Sequence, residues 1–162
     1  MRKSDSKVLQ LTYAAIIAAS YVALTLVLAP FSFGPMQVRV AEALTILPLF
    51  TPAAIPGLTI GCLIANLMGG AVILDVIFGS LATLIGAALG YLLRFNRWLV
   101  PIPTVAANTI IVPFVLRYGY GVEIPIPLMM VYIAVGEFIG CYVLGELLAT
   151  AVLKRKVIPT RR

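Results

Sequence analysis

Between Lys7 and Arg39 the chain carries no charged residue, and positions 43 to 74, between Glu42 and Asp75, carry none either. A water-soluble helix or sheet shows one apolar face and one polar face, so charge-free runs of this length do not suit a fold bathed in water. About 20 consecutive apolar residues take an α-helix across the ~30 Å hydrocarbon core of a bilayer, and these runs reach or exceed that length. The composition agrees. Of 162 residues, 62% are hydrophobic and 11% charged, with mean hydropathy +1.08, where a soluble domain has about 25% charged residues.

Dividing the chain at charges, prolines and turn residues predicts six membrane-spanning helices over approximately 8–29, 38–50, 53–68, 75–95, 99–116 and 127–153. The stretch holding Pro48, Pro52, Pro56 and Gly57 is too long for one helix, and a tight turn near Thr51 and Pro52 divides it. Five spans result instead if the second and third segments form one broken helix. Six is preferred because an even number puts both basic ends on the same side. The remaining residues suffice only for tails and short connections, so residues 1–162 are read as a single all-α transmembrane domain. A removable signal peptide is not expected, because the apolar run after Lys7 outlasts the ~7–15 residues of a signal core.

The positive-inside rule orients the bundle. Arg2, Lys3, Lys7, Arg94, Arg97, Lys154, Arg155, Lys156, Arg161 and Arg162 fall on one side, predicted cytoplasmic together with both termini, and only Arg39 and Arg117 fall on the other. The net charge of +6 therefore reads as membrane orientation and not as a nucleic-acid surface. The loops near 30–37, 69–74 and 117–126 are expected to face outward, with Arg117 and Glu123 as surface charges.

Several chemistries are excluded. There is no His, which removes His-based metal sites and Ser-His or Cys-His catalysis. No HExxH, no clustered Asp motif and no phosphate-binding Gly-Lys-Ser/Thr loop occurs. No enzymatic activity and no cofactor is expected. Cys62 and Cys141 form no CxxC and are read as buried packing residues.

Ionisable and amide side chains inside a span cost a few kcal/mol each and are candidates for function. Gln37, Arg39 and Glu42 open the second segment, Asn66 lies near the outward end of the third, and Asp75 starts the fourth. Asn108 and Glu137 lie inside the fifth and sixth. Each has a plainer alternative: an ion pair between Arg39 and Glu42, an N-terminal cap for Asp75, an inter-helix hydrogen bond for Asn108. No base precedes Glu137 in its own segment, so it needs a partner from elsewhere, a raised pKa or a ligand. Glu146 is expected to be solvated or paired near the cytoplasmic face.

Small residues four apart let helices approach closely. Such frames occur at Gly57/Gly61, Gly86/Gly90 and Gly136/Gly140, and twice in the first segment, at Ala14/Ala18 and Ala15/Ala19. Internal packing explains the glycine frames most simply. The first segment has almost no polar atoms beside its alanines, and a second membrane protein is expected to dock there through Ala14, Ala15, Ala18 and Ala19.

The run Phe33-Gly34-Pro35-Met36-Gln37-Val38-Arg39-Val40-Ala41-Glu42-Ala43-Leu44-Thr45, the segments Ile55-Pro56-Gly57 and Gly61-Cys62-Leu63-Ile64-Ala65-Asn66-Leu67, and the run from Asp75 to Leu84 together resemble the QueT family. These are prokaryotic S components of energy-coupling-factor (ECF) transporters, assigned to queuosine precursors. The resemblance implies a six-helix S-component bundle in the cell membrane that binds its substrate near the outward face, chiefly under loop 30–37. It also implies docking onto a membrane coupling (T) component driven by two cytoplasmic ATPases, with toppling in the membrane to release the cargo inside. A 7-deazaguanine ligand such as 7-aminomethyl-7-deazaguanine, 7-cyano-7-deazaguanine or queuine presents adjacent N–H donors and a carbonyl oxygen. Glu42 or Glu137 suits the donors and Asn66, Gln37 or Arg39 the carbonyl. Asp75 or the other Glu suits an aminomethyl cation, and Tyr132 or Phe33 could stack on the ring. Two further readings stand beside this one: an S component for another vitamin-like molecule, and a self-sufficient oligomeric channel or exporter assembled through the glycine frames.

Overall fold

The structure, a computed structural model, describes residues 3–29 and 39–155. Among these every regular element is helical. Helix α1 spans Lys3–Val27, a 3₁₀ helix, η1, spans Val40–Leu49, and α2, α3 and α4 span Ala54–Met68, Ile73–Leu92 and Ile102–Gly119. A 3₁₀ turn, Arg97–Leu99, leads into α4. The last helix, α5, runs from Ile126 to Arg155, with π-helical geometry over Phe138–Leu144. Four of these stretches are long and apolar enough to cross a membrane: Lys7–Val27, Ile73–Leu92, Arg97–Gly119 and Ile126–Arg155.

The boundaries depart from the sequence reading in physically simple ways. Helix α1 begins before Val8, because Lys3 to Lys7 continue its backbone. The second segment is not an α-helix. Pro48 lacks the N–H for an i→i−4 bond, and its ring opposes the carbonyl four residues back. Thr45 Oγ1 donates to the Glu42 carbonyl three residues back at 2.6 Å, in keeping with the tighter winding. Ten 3₁₀ residues rise ~20 Å and the 15 residues of α2 rise ~22 Å, so both fall short of the ~30 Å core. They are two elements and not one broken helix, because the chain reverses between them. Glu42 of η1 meets Tyr21 of α1 and Thr51 meets Gln10, whereas Gly57 and Gly61 of α2 climb α1 again beside Ala14 and Ala18.

That reversal makes α1 and α2 parallel neighbours with η1 returning between them. Helix α3 packs antiparallel to α4, with Gly86 against Thr104 and Gly90 against Val100. The glycine frames at Gly57/Gly61 and Gly86/Gly90, and Gly140 of the third, are thereby occupied within the chain. The main core, with Tyr21, Ile46, Leu58, Cys62 and Ala65 fully buried, lies where α1, η1 and α2 meet, and Val100 extends it towards the α3–α4 link. Outside it, large apolar side chains such as Leu11, Ile16, Phe78, Ile110, Val131 and Leu147 stand exposed all round the bundle, as lipid contact requires.

The bundle has two unlike ends. One holds the start of α1, the η1–α2 turn, the α3–α4 link and the end of α5, with Lys7, Arg94, Arg97, Lys154 and Arg155. There Arg94 and Arg97 lie over the Tyr91 and Trp98 rings at 4.1 and 4.7 Å, and Arg97 pairs with Glu146 at 2.6 Å. The opposite end gathers the start of η1, the α2–α3 turn and the α4–α5 link, with Arg39 and Arg117. Arg117 donates to the Val122 carbonyl at 3.1 Å and stays at the surface.

Candidate functional site

The polar residues of the bundle interior collect between its middle and the end that holds Arg39. Arg39, Glu42, Asn66, Asp75, Asn108 and Glu137 each expose 5% or less of their surface. They come from η1, α2, α3, α4 and α5, and Tyr21 adds α1. Asn108 and Glu137 lie deepest, each ~16 Å along its helix from that end. Gln37 and Phe33, also candidates, and the loop 30–37 that was expected to cover the site, lie outside the described residues.

Nearest the end, Arg39 and Asp75 form an ion pair, with Arg39 Nη2 3.6 Å from Asp75 Oδ2. The same carboxylate oxygen accepts from Tyr120 Oη at 2.9 Å, and Tyr120 in turn accepts the Val72 N–H at 3.3 Å. Burial and the adjacent Asp75 carboxylate push the Tyr120 hydroxyl up to about 12, so it stays a donor at any physiological pH. Asn66 Nδ2 donates to the Asp75 backbone carbonyl at 3.2 Å, closing the α2–α3 turn, and also faces Cys62 Sγ at 3.7 Å.

These contacts correct two expectations. Asp75 is not an N-terminal cap: the cap position belongs to Val72, and the Asp75 side chain turns inward to Arg39 and Tyr120. Nor do Arg39 and Glu42 form the ion pair that their spacing suggested. In a 3₁₀ start, Arg39 reaches across to α3, while Glu42 Oε1 accepts from Tyr21 Oη on α1 at 2.5 Å.

Deeper in the bundle, Asn108 Nδ2 donates to Glu137 Oε1 at 2.9 Å, and Cys141 Sγ donates to Glu137 Oε2 at 3.2 Å. Cys141 is therefore more than a packing residue. A carboxylate oxygen of Glu42, one of Glu137 and the Cys141 sulfur lie within 4.8 Å of one another. This approach depends on Gly140, since a Cβ there would sit 3.0 Å from the Arg39 carbonyl oxygen and 3.3 Å from Glu42 Cβ. The π-helical turn begins directly after Glu137, a distortion that recurs at functional sites because it re-aims side chains.

Among the described residues, three carboxylate or amide oxygens in this region are buried with no hydrogen-bond partner: Glu42 Oε2, Asn66 Oδ1 and Asp75 Oδ1. A polar atom left so costs a few kcal/mol in an apolar surround. Three of them together suit a ligand that brings several donors. Tyr132 is half-buried and lies five residues before Glu137, about 140° around the helix from it.

Sequence reasoning missed Tyr21, Tyr120 and Cys141. Tyr21 could have been found, since a Tyr in the middle of an apolar helix needs a partner for its hydroxyl. Tyr120 and Cys141 carried no comparable signal.

On α1 the two alanine frames separate. Ala14 and Ala18 are buried against α2: a Cβ on Gly57 would lie 2.8 Å from the Ala14 carbonyl oxygen, and one on Gly61 3.0 Å from that of Ala18. Ala15 and Ala19 are exposed, beside Leu11, Thr12 and Ile16. Only the second frame is open to a partner.

The profile of the QueT transporter family matches residues 11–154. A queuosine precursor transporter QueT of Lactococcus lactis subsp. cremoris (strain MG1363) is 42% identical over 95 residues, which cover 57% of this chain and 55% of that relative. The match thus spans about half the length of the curated relative. No solved structure matches the chain.

Proposed function

The chain belongs to the QueT transporter family, and from that premise we propose that this multi-pass membrane protein is the substrate-binding S component of an ECF-type importer for a queuosine precursor. The similar Lactococcus protein carries the name of a queuosine precursor transporter, and the interior chemistry of this chain suits such a cargo. In this reading η1 and α2 cross the membrane together with the four longer helices, giving six crossings. The basic end and both termini face the cytoplasm, and the Arg39 end faces outward.

The observation that carries the reading is the group of buried acceptor oxygens without partners, Glu42 Oε2, Asn66 Oδ1 and Asp75 Oδ1. A 7-deazaguanine brings adjacent ring and amino N–H donors to such oxygens, and its carbonyl suits the Arg39 guanidinium, the Asn66 amide or Gln37. Tyr132, about 140° around α5 from Glu137, is assigned a stacking contact with the ring and no contact with Glu137. The residues that bind the cargo are thus Gln37, Arg39, Glu42, Asn66, Asp75, Asn108, Tyr132 and Glu137.

Transport then requires an energy source outside this chain, which has no phosphate-binding loop. A membrane coupling protein carrying two cytoplasmic ATPases supplies it, docked on the exposed Ala15/Ala19 face of α1, whose small residues permit close helix approach. The test is thermal unfolding of the purified protein with a panel of deazapurines, purines and vitamins, because a ligand that binds only the folded state raises the melting temperature. Stabilisation by deazaguanines alone is the expected result. No stabilisation by any deazapurine overturns the substrate, and stabilisation by a vitamin instead assigns the site to that molecule.

A further inference from the structure

Among the described residues, the bundle interior buries three carboxylates, Glu42, Asp75 and Glu137, and a single cation, Arg39. Arg39 lies 3.6 Å from Asp75. The hydrogen-bond donors recorded on the other two carboxylates are neutral: Tyr21 for Glu42, and Asn108 and Cys141 for Glu137. Even so, Glu42 and Glu137 approach each other, and Glu42 Oε2 is buried with no hydrogen-bond partner among the described residues. Two carboxylates this close in an apolar surround either share a proton or take a positive charge between them.

We propose that the gap between Glu42 and Glu137 is a subsite for a primary ammonium group of the cargo, so that the protein selects a cationic deazaguanine over a neutral one. The proposal rests on the transport reading above and narrows its substrate class. Oxygens no more than 4.8 Å apart can both accept from one nitrogen through N–H···O contacts of about 2.8 Å, and an ammonium carries three donors. Asp75, the other candidate counter-ion, already faces Arg39 and Tyr120. Its free oxygen and that of Asn66 are left for the ring edge. A divalent metal fits less well: Cys141 meets Glu137 as a thiol donor, whereas a metal ligand would be the thiolate.

Calorimetric titration of the full chain with 7-aminomethyl-7-deazaguanine and 7-cyano-7-deazaguanine tests the subsite, since the two share a ring and differ in charge. The aminomethyl compound is expected to bind about 100-fold tighter, in line with a buried charge pair. In Glu42→Gln and in Glu137→Gln the ratio should fall to about threefold or less. Equal binding of the two compounds by the unmodified protein overturns the subsite and leaves the transport reading standing; this comparison needs no variant to fold. A ratio that survives both substitutions overturns it equally, as does Zn²⁺ or Mn²⁺ raising the melting temperature where the aminomethyl compound does not. Binding of neither deazaguanine overturns the transport reading and the subsite with it.

Discussion

Tyr21 Oη donates to Glu42 Oε1 at 2.5 Å, tying the middle of α1 to the start of η1 at a point where neither residue reaches solvent. Tyr21→Phe removes the recorded donor to a buried carboxylate and is expected to lower stability by about 1–3 kcal/mol. The same change in a Glu42→Gln background should cost less, because an amide tolerates the loss better than a charge. Melting temperatures of the four proteins check this, and equal costs in both backgrounds would deny the coupling.

Asp75 holds Arg39, Tyr120 and, through its carbonyl, Asn66. Asp75→Asn keeps the shape but leaves the Arg39 guanidinium short of its counter-charge. A loss of about 3–5 kcal/mol is expected, as for other broken buried pairs. Tyr120→Phe removes two hydrogen bonds, one to Asp75 and one from the Val72 N–H, from a half-exposed side chain and should cost about 1–2 kcal/mol. Thermal melts that rank the two variants the other way would show that the ion pair contributes little.

The α1 alanines separate folding from docking. Ala14→Trp or Ala18→Trp drives a large ring into α2, where even a Cβ on Gly57 or Gly61 lacks room, and is expected to prevent stable folding. Ala15→Trp and Ala19→Trp project outward and should leave the melting temperature and ligand stabilisation intact while abolishing copurification of the ATPase-bearing coupling protein. Full recovery of that partner with Ala15→Trp would place its docking surface elsewhere.

Gly140→Ala puts a methyl group 3.0 Å from the Arg39 carbonyl oxygen and 3.3 Å from Glu42 Cβ. The start of η1 must shift by a few tenths of an ångström, widening the Glu42–Glu137 gap. Ligand affinity is expected to fall by about tenfold, since misplaced charged contacts are costly in a buried site. Titration calorimetry reads this directly, and unchanged affinity would separate the ligand from Glu42.

Orientation is checked by labelling. Cys62 and Cys141 are completely buried, so a membrane-impermeant maleimide should leave the parent protein unmodified in intact cells. Glu123→Cys is expected to label from outside and Phe95→Cys only after lysis. The reverse pattern would invert the bundle.

How far the site was legible in the sequence differs residue by residue. Arg39, Glu42, Asn66, Asp75, Asn108 and Glu137 stood out because a polar group within an apolar run is costly wherever the run ends up. Their partners were not legible. The spacing of Arg39 and Glu42 suggested a pair along one helix, but Arg39 is the extended N-cap of a 3₁₀ helix and reaches α3, while Glu42 reaches α1. Likewise, two equivalent alanine frames became one buried and one open when Gly57 and Gly61 came up beside Ala14 and Ala18.

The sequence by itself determined that this chain lives in a membrane, roughly where its apolar helices run, which end is basic, and which polar residues must be explained. Those properties are sums of transfer free energies and charges over neighbouring residues, and such sums need no knowledge of distant contacts. The tertiary structure alone decided that Glu42 meets Tyr21 and approaches Glu137, that Asp75 turns to Arg39, and which face of α1 is left open. Those are pairings between groups from different elements, where a few ångströms in a low-dielectric interior separate a satisfied charge from an unsatisfied one.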